Sequence, residues 1–186
     1  LDLYAPDIPA QGYFTIPKLY TLLDAESLDA SGILELRNQP FFNLDGSRIL
    51  LGFIDTGINY RHPAFRNPDG TTRIVSIWDQ ADQTGSVPAG FLYGSEYTAS
   101  QINEALFSPD PLSLVPTDDE NGHGTALAGI AAGTPDETAG FSGAAPGAGI
   151  VVVKLKPAKE YLRDYFLVQE NAPAFQEDDC MLAVRY

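Results

Sequence analysis

Two short strings in this 186-residue chain carry side chains that could move a proton, Asp55-Thr56-Gly57 and His123-Gly124-Thr125. A carboxylate bonded to one imidazole nitrogen fixes the ring's tautomer and stabilises the cation formed when the other nitrogen takes a proton. An aspartate and a histidine in that relation make a general base for a nucleophile. Such chemistry requires rigid placement, so the elements that hold each string matter as much as the two side chains.

Ile49-Leu50-Leu51-Gly52-Phe53-Ile54 is a nearly continuous apolar run of strand length, the pattern of a strand buried on both faces. Asp55 directly follows it. Between Asn121 and Ala132 the apolar positions fill almost the whole circumference, and Gly133 with Pro135 supplies a stop. That pattern predicts a buried helix with His123 in its first turn. Gly122 and Gly124 leave room for another segment to approach the ring. A helix start disfavours an imidazolium, so His123 needs a carboxylate nearby, and Asp55 would fill that role.

Arg73 to Trp78 and the β-branched run Ile150 to Leu155 read as two further strands. A short helix is expected from Asp24 to Ser31, capped by Asp24 and ended by Gly32, after an irregular start containing Pro6, Pro9, Gly12 and Pro17. Asp45-Gly46 reads as a turn. Asp79 to Asp118 reads as a long irregular connection with one helical candidate at Ser100 to Leu106, and a polar, aromatic stretch follows Pro157. A last helix begins near Gln176, with Glu177, Asp178 and Asp179 in its first turn. Strands alternating with helices predict an α/β fold with a mostly parallel sheet covered on both faces. In such sheets functional groups gather at the carboxyl ends of the strands.

Composition narrows the setting. Twenty-five acidic against eleven basic side chains give a net charge of −14, which repels phosphate backbones and anionic lipid surfaces, so neither nucleic acid nor membrane is expected as a partner. No apolar run approaches the roughly 20 residues needed to cross a bilayer. The lone Cys180, beside Glu177, Asp178 and Asp179, excludes an intrachain disulfide and reads as structural. No signal peptide is visible. Asp118, Asp119, Glu120 and His123 could be read as metal ligands. Acidic residues ahead of a helix also favour its dipole, and we prefer that reading, with no metal site assigned. His62 suits a loop role, and Trp78 a core role over the lining of a groove.

The chain resembles the N-terminal part of a subtilisin-like serine protease, whose triad runs Asp, His, Ser. Leu51 to Ile58, LGFIDTGI, matches the family's aspartate motif, and Asn121 to Gly133, NGHGTALAGIAAG, its histidine motif. Gly143-Ala144-Ala145-Pro146, leading into IVVVKL, is similar to the segment that returns the family's chain to the sheet. The stretches IPKLYTLLDAESLDASGI, HPAFRNPDGTTRIVSIWDQ and VVVKLKPAKEYLRDYF resemble the Csp-type germination proteases. The resemblance implies a three-layer subtilisin-like fold, incomplete here, with residues 1–45 an extension packed on residues 46–186. It also implies Asp55 as the orienting carboxylate, His123 as general base, protein or peptide substrates, and a bacterial, secreted or spore-associated setting. No cofactor is implied. Family members can carry calcium, but no oxygen-rich loop of recognisable spacing stands in this sequence.

The pattern breaks at the nucleophile. The family's serine lies in a Gly-Thr-Ser motif far downstream of the histidine. Gly140-Phe141-Ser142-Gly143 looks similar, but Phe141 replaces the threonine, and Ser142 follows the histidine by only 142 − 123 = 19 positions. The downstream asparagine of the oxyanion hole is missing too. The expectation is therefore a piece of a longer protease that supplies Asp55 and His123, with the serine on the missing C-terminal part and no peptidase activity in the piece alone. The alternative is a pseudoprotease of the same family that acts as a regulatory or binding scaffold.

Overall fold

A computed structural model describes residues 25–37, 39, 41, 44–170 and 172–186. Four strands form one sheet: β1 (Leu50–Asp55), β2 (Ile74–Asp79), β3 (Ser95–Thr98) and β4 (Gly149–Lys154), in the order β1-β4-β2-β3. β4 runs parallel to both β1 and β2, while β3 is antiparallel to β2. The expected mostly parallel α/β architecture is what the chain adopts.

Register explains how two apolar layers arise from these strands. Phe53, Val152, Ile77 and Tyr97 form one row across the sheet, and period-two alternation turns the row Ile54, Val153 and Trp78 to the other face. The first row packs on Ile102 and Ala105 of α3 (Ala99–Leu106) and on Ala128 and Ala132 of α5 (His123–Ala132). The second packs on Cys180, Leu182 and Ala183 of α7 (Glu177–Arg185). Helices thus cover both faces of the sheet, giving three layers. Burying each Val or Ile in these rows contributes about 1.5–3 kcal/mol.

Four elements differ from the sequence expectation. β3 lies in the stretch read as irregular. Its SEYT sequence has no apolar run, and the antiparallel pairing with β2 holds it in extended form. The helical candidate in that stretch is α3, closed by a capping box in which Thr98 and Gln101 bond reciprocally. Single-turn pieces α4 (Pro111–Leu114) and α6 (Glu160–Tyr165) break the two connections, and α2 (Ile33–Arg37) follows α1 (Ala25–Ala30) directly. Elements this short carry too few periodic positions to be read from sequence. Gly32 does close α1 with positive φ, whereas the proposed cap Asp24 and the irregular start lie outside the described residues.

Trp78 is wholly buried on the α7 face, against Phe91, Tyr93 and Tyr186, and its indole N–H donates to Tyr93 O at 3.2 Å. It lines no groove near Asp55. Cys180 is half-buried beside that cluster, and burial pushes its thiol up. His62 caps the 3₁₀ turn Pro63–Phe65, accepting from Ala64 N at its Nδ1. No described helix is long and apolar enough to cross a membrane.

Candidate active site

β1 delivers Asp55 at its carboxyl end, and α5 delivers His123 at its first residue. His123 Nδ1 lies 2.8 Å from Asp55 Oδ1. Asp55 Oδ1 also accepts the Thr56 backbone N–H at 2.7 Å, which fixes the carboxylate against its own turn. The Asp55 side chain is 14% exposed and the imidazole 67%, so one member is anchored and the other reaches solvent. Among the described residues His123 Nε2 and Asp55 Oδ2 take no hydrogen bond.

Two glycines permit this approach. A Cβ on Gly124 would stand 2.2 Å from Gly57 O and 3.1 Å from Asp55 Cβ, so any side chain there would push the two strings apart. Gly57 has φ +127°, and a Cβ on it would meet Asp118 O at 2.9 Å. The Asp-Thr-Gly and His-Gly-Thr strings therefore touch backbone to backbone.

The hydrogen bond from Asp55, then the Asp55 charge, lift the His123 imidazole above its ordinary value; slight desolvation opposes this and the more distant Asp119 charge adds to it. A carboxylate thus overcomes the helix start's bias against an imidazolium. With Nδ1–H donated to Asp55, the ring is in the tautomer whose Nε2 lone pair is open to a proton donor.

Asp118 and Asp119 are neighbours in an acidic run, and the structure gives them different partners. Asp118 pairs with Arg61 at 2.5 Å. Asp119 is buried and accepts four hydrogen bonds: Oδ1 from Thr56 Oγ1 (2.8 Å) and Gly122 N (3.0 Å), and Oδ2 from Thr125 N (2.8 Å) and Thr125 Oγ1 (2.6 Å). Burial pushes its carboxyl up, but these bonds outweigh burial and hold it below the usual carboxylate range. Among the described residues no group of three His, Cys, Asp or Glu is placed to hold a metal ion. Asp119's link to Thr56 was not readable beforehand; an aspartate four residues before a His-Gly-Thr helix start was the only signal.

Ser142 sits far from this pair. Its hydroxyl donates to Gly143 O and accepts from Arg37, and Gly143 N bonds Gly133 O, just past the other end of α5. A ten-residue helix separates the two ends by roughly 15 Å. On the near side, a cleft of about 540 Å³ opens along Thr56, Asn121, Lys154 and Leu155 and continues to Arg163, Glu170 and Phe175. Arg163 staples its outer wall by donating to the carbonyls of Gln169, Glu170 and Ala172.

Comparison with solved structures finds the CspB protease of Clostridium perfringens, 34% identical with a TM-score of 0.69, over 87% of this chain and 29% of that one. Two subtilisin-like proteases of Arabidopsis thaliana are also similar. One is 34% identical over 107 residues, 53% of this chain and 12% of the plant protein. The other is 31% identical over 101 residues, 50% of this chain and again 12% of its relative. The chain thus spans about an eighth of these curated relatives and under a third of the solved protease. The sequence model of the Subtilase family matches residues 46–177, and the chain belongs to that family.

Proposed function

We propose that this chain supplies the acid–base half of a serine endopeptidase, with Asp55 as orienting carboxylate, His123 as general base, and the serine on sequence outside residues 1–186. The observation that carries the reading is the 2.8 Å contact between His123 Nδ1 and Asp55 Oδ1, made by a ring that is otherwise open to solvent. Residues 46–186 would then be the N-terminal portion of the catalytic domain and residues 1–45 an extension on it.

In this mechanism His123 Nε2 takes the serine Oγ proton as Oγ bonds to the scissile carbonyl carbon. The resulting imidazolium is held by Asp55 and returns the proton to the departing amine as the C–N bond breaks. Water hydrolyses the acyl-enzyme by the same base in a second cycle. A polypeptide substrate is the class that fits, because the cleft along Thr56, Asn121 and Lys154 is an open trough beside the pair.

The test is labelling with a fluorophosphonate serine probe, applied to the chain alone and to the chain mixed with its parent's downstream segment. Labelling of the added segment, lost with His123→Ala, is the expected result. Labelling of Ser142 in the chain alone would overturn the assignment. A parent whose downstream segment carries no reactive serine would make the fold a binding scaffold.

A further inference from the structure

We propose that Asp119 is a positioning residue for the Asp55–His123 pair, acting through the Thr56 hydroxyl; the proposal rests on the acid–base role given to that pair above. The geometry has three parts. First, Asp119 caps α5 from outside: Gly122, the residue before the helix, has positive φ and no side chain, so the Asp119 carboxylate takes the N–H groups of Gly122 and Thr125. Second, the same carboxylate accepts the hydroxyl of Thr56, a residue 63 positions away that neighbours Asp55. Third, Thr56 Oγ1 accepts the N–H of Gly124, the neighbour of His123, at 3.0 Å.

These bonds close a ring that runs Asp55, Thr56, Asp119, the α5 start, His123 and back to Asp55. Each anchor is one or two residues from a reacting side chain. A helix cap needs only the bonds to Gly122 and Thr125. The bond from Thr56 brings no helix N–H to Asp119; Thr56 itself takes the Gly124 N–H, and the bond joins the two strings. Second-layer contacts of this type set whether a pair is held within the few tenths of an ångström that proton transfer needs. The low-lying carboxyl of Asp119 agrees with a group that stays charged and accepting throughout the working range.

Other charges around the ring are already engaged or point elsewhere. Asp118 is paired with Arg61, and Lys154 leans towards Asp79 at 3.6 Å. Asp119 is therefore the carboxylate that ties both strings together.

The deciding variant is Thr56→Val, which removes the hydroxyl at nearly constant shape, and with it the contacts to Asp55 Oδ1 (3.2 Å) and Gly124 N, and leaves the Asp119 bonds to Gly122 and Thr125 available. The measurement is an NMR titration of the His123 ring in the 186-residue chain, with thermal unfolding of each variant as a control for folding. Thr56→Val is expected to move the His123 midpoint down towards that of a free imidazole and to weaken the Nδ1 proton signal. Thr56→Ser is expected to restore both, and Asp119→Asn, whose lost charge lowers the midpoint by itself, to weaken the Nδ1 proton signal as Thr56→Val does. In the full-length parent, Thr56→Val should lower kcat by about 10²-fold while KM stays near its original value. If Thr56→Val titrates like the unaltered chain and the Nδ1 proton signal persists in both Thr56→Val and Asp119→Asn, while Asp55→Asn shifts the midpoint, Asp119 is only a helix cap and the proposal is overturned with the pair intact. If Asp55→Asn leaves the midpoint unmoved, the pair itself fails and the proposal falls with it.

Discussion

Asp55 and Asp79 end two parallel strands, β1 and β2, and stand in one row of the sheet on either side of Lys154. The residue type, the strand end and the row are the same, but the surroundings differ. Asp79 is nearly sealed, at 3% side-chain exposure. It accepts Thr117 Oγ1 at 2.6 Å and the N–H groups of Ala81 and Asp82, with the Lys154 ammonium 3.6 Å away. Among the described residues Asp55 keeps one oxygen free of hydrogen-bond partners, and it faces an exposed imidazole. A strand-end carboxylate is structural when the protein satisfies all of it, and chemical when a titratable ring is left facing it. Lys154 sharpens the contrast, since its cation settles on Asp79 and leaves the charge of Asp55 to His123.

The largest expected effect breaks the contrast on the chemical side. His123→Ala in the full-length parent should lower turnover by about 10⁶-fold, the scale reached when the base of a serine triad is deleted. Steady-state hydrolysis of a peptide substrate measures it. On the structural side, Asp79→Asn should cost about 3 kcal/mol, because it unbalances a buried carboxylate with four partners. In a chain of this length that lowers the melting temperature by roughly 6–12 °C, read by thermal unfolding.

Gly124→Ala touches both sides. Its new Cβ would press on Gly57 O and Asp55 Cβ, costing about 1–3 kcal/mol. Because relief separates the two strings, the NMR signal of the His123–Asp55 hydrogen bond should weaken along with the fall in melting temperature.

The smallest effect is a pH slope. His123 titrates above its ordinary 6.5, so its contribution to stability is fully present below that value and is lost as pH rises through the folded value. Asp119 titrates below its ordinary 3.8, so its contribution is present above that value and is lost as pH falls through the folded one. Melting temperature followed from pH 3 to pH 9 should therefore fall at the acid end and decline slightly as pH rises beyond 6.5. Asp55→Asn should abolish only the second feature.

Much of this was legible in the sequence because the decisive elements are continuous. The runs that became β1, β2 and β4 are apolar enough to be read as strands, although β1 buries only Phe53, and the helix carrying His123, apolar all round in sequence, buries only the face of Gly124, Ala128 and Ala132. Asp55 and His123 were visible because each directly follows or opens such an element. β3 was hidden because a four-residue polar strand owes its form to its partner β2. Strand order was hidden too, since nothing local in the sequence puts β4 between β1 and β2. Asp119 looked like one of three acids ahead of a helix. Only the folded chain brings Thr56 to it across 63 positions, and no periodicity encodes that contact.

The most direct measurement compares kcat/KM for one peptide substrate between Asp55→Asn and Asp79→Asn in the full-length parent, both assayed at a temperature where each remains folded. The account predicts that Asp55→Asn falls by about 10⁴-fold while Asp79→Asn stays within about tenfold of the unaltered enzyme. Equal losses in the two variants, or an Asp55→Asn enzyme that works within tenfold of the original, would contradict it.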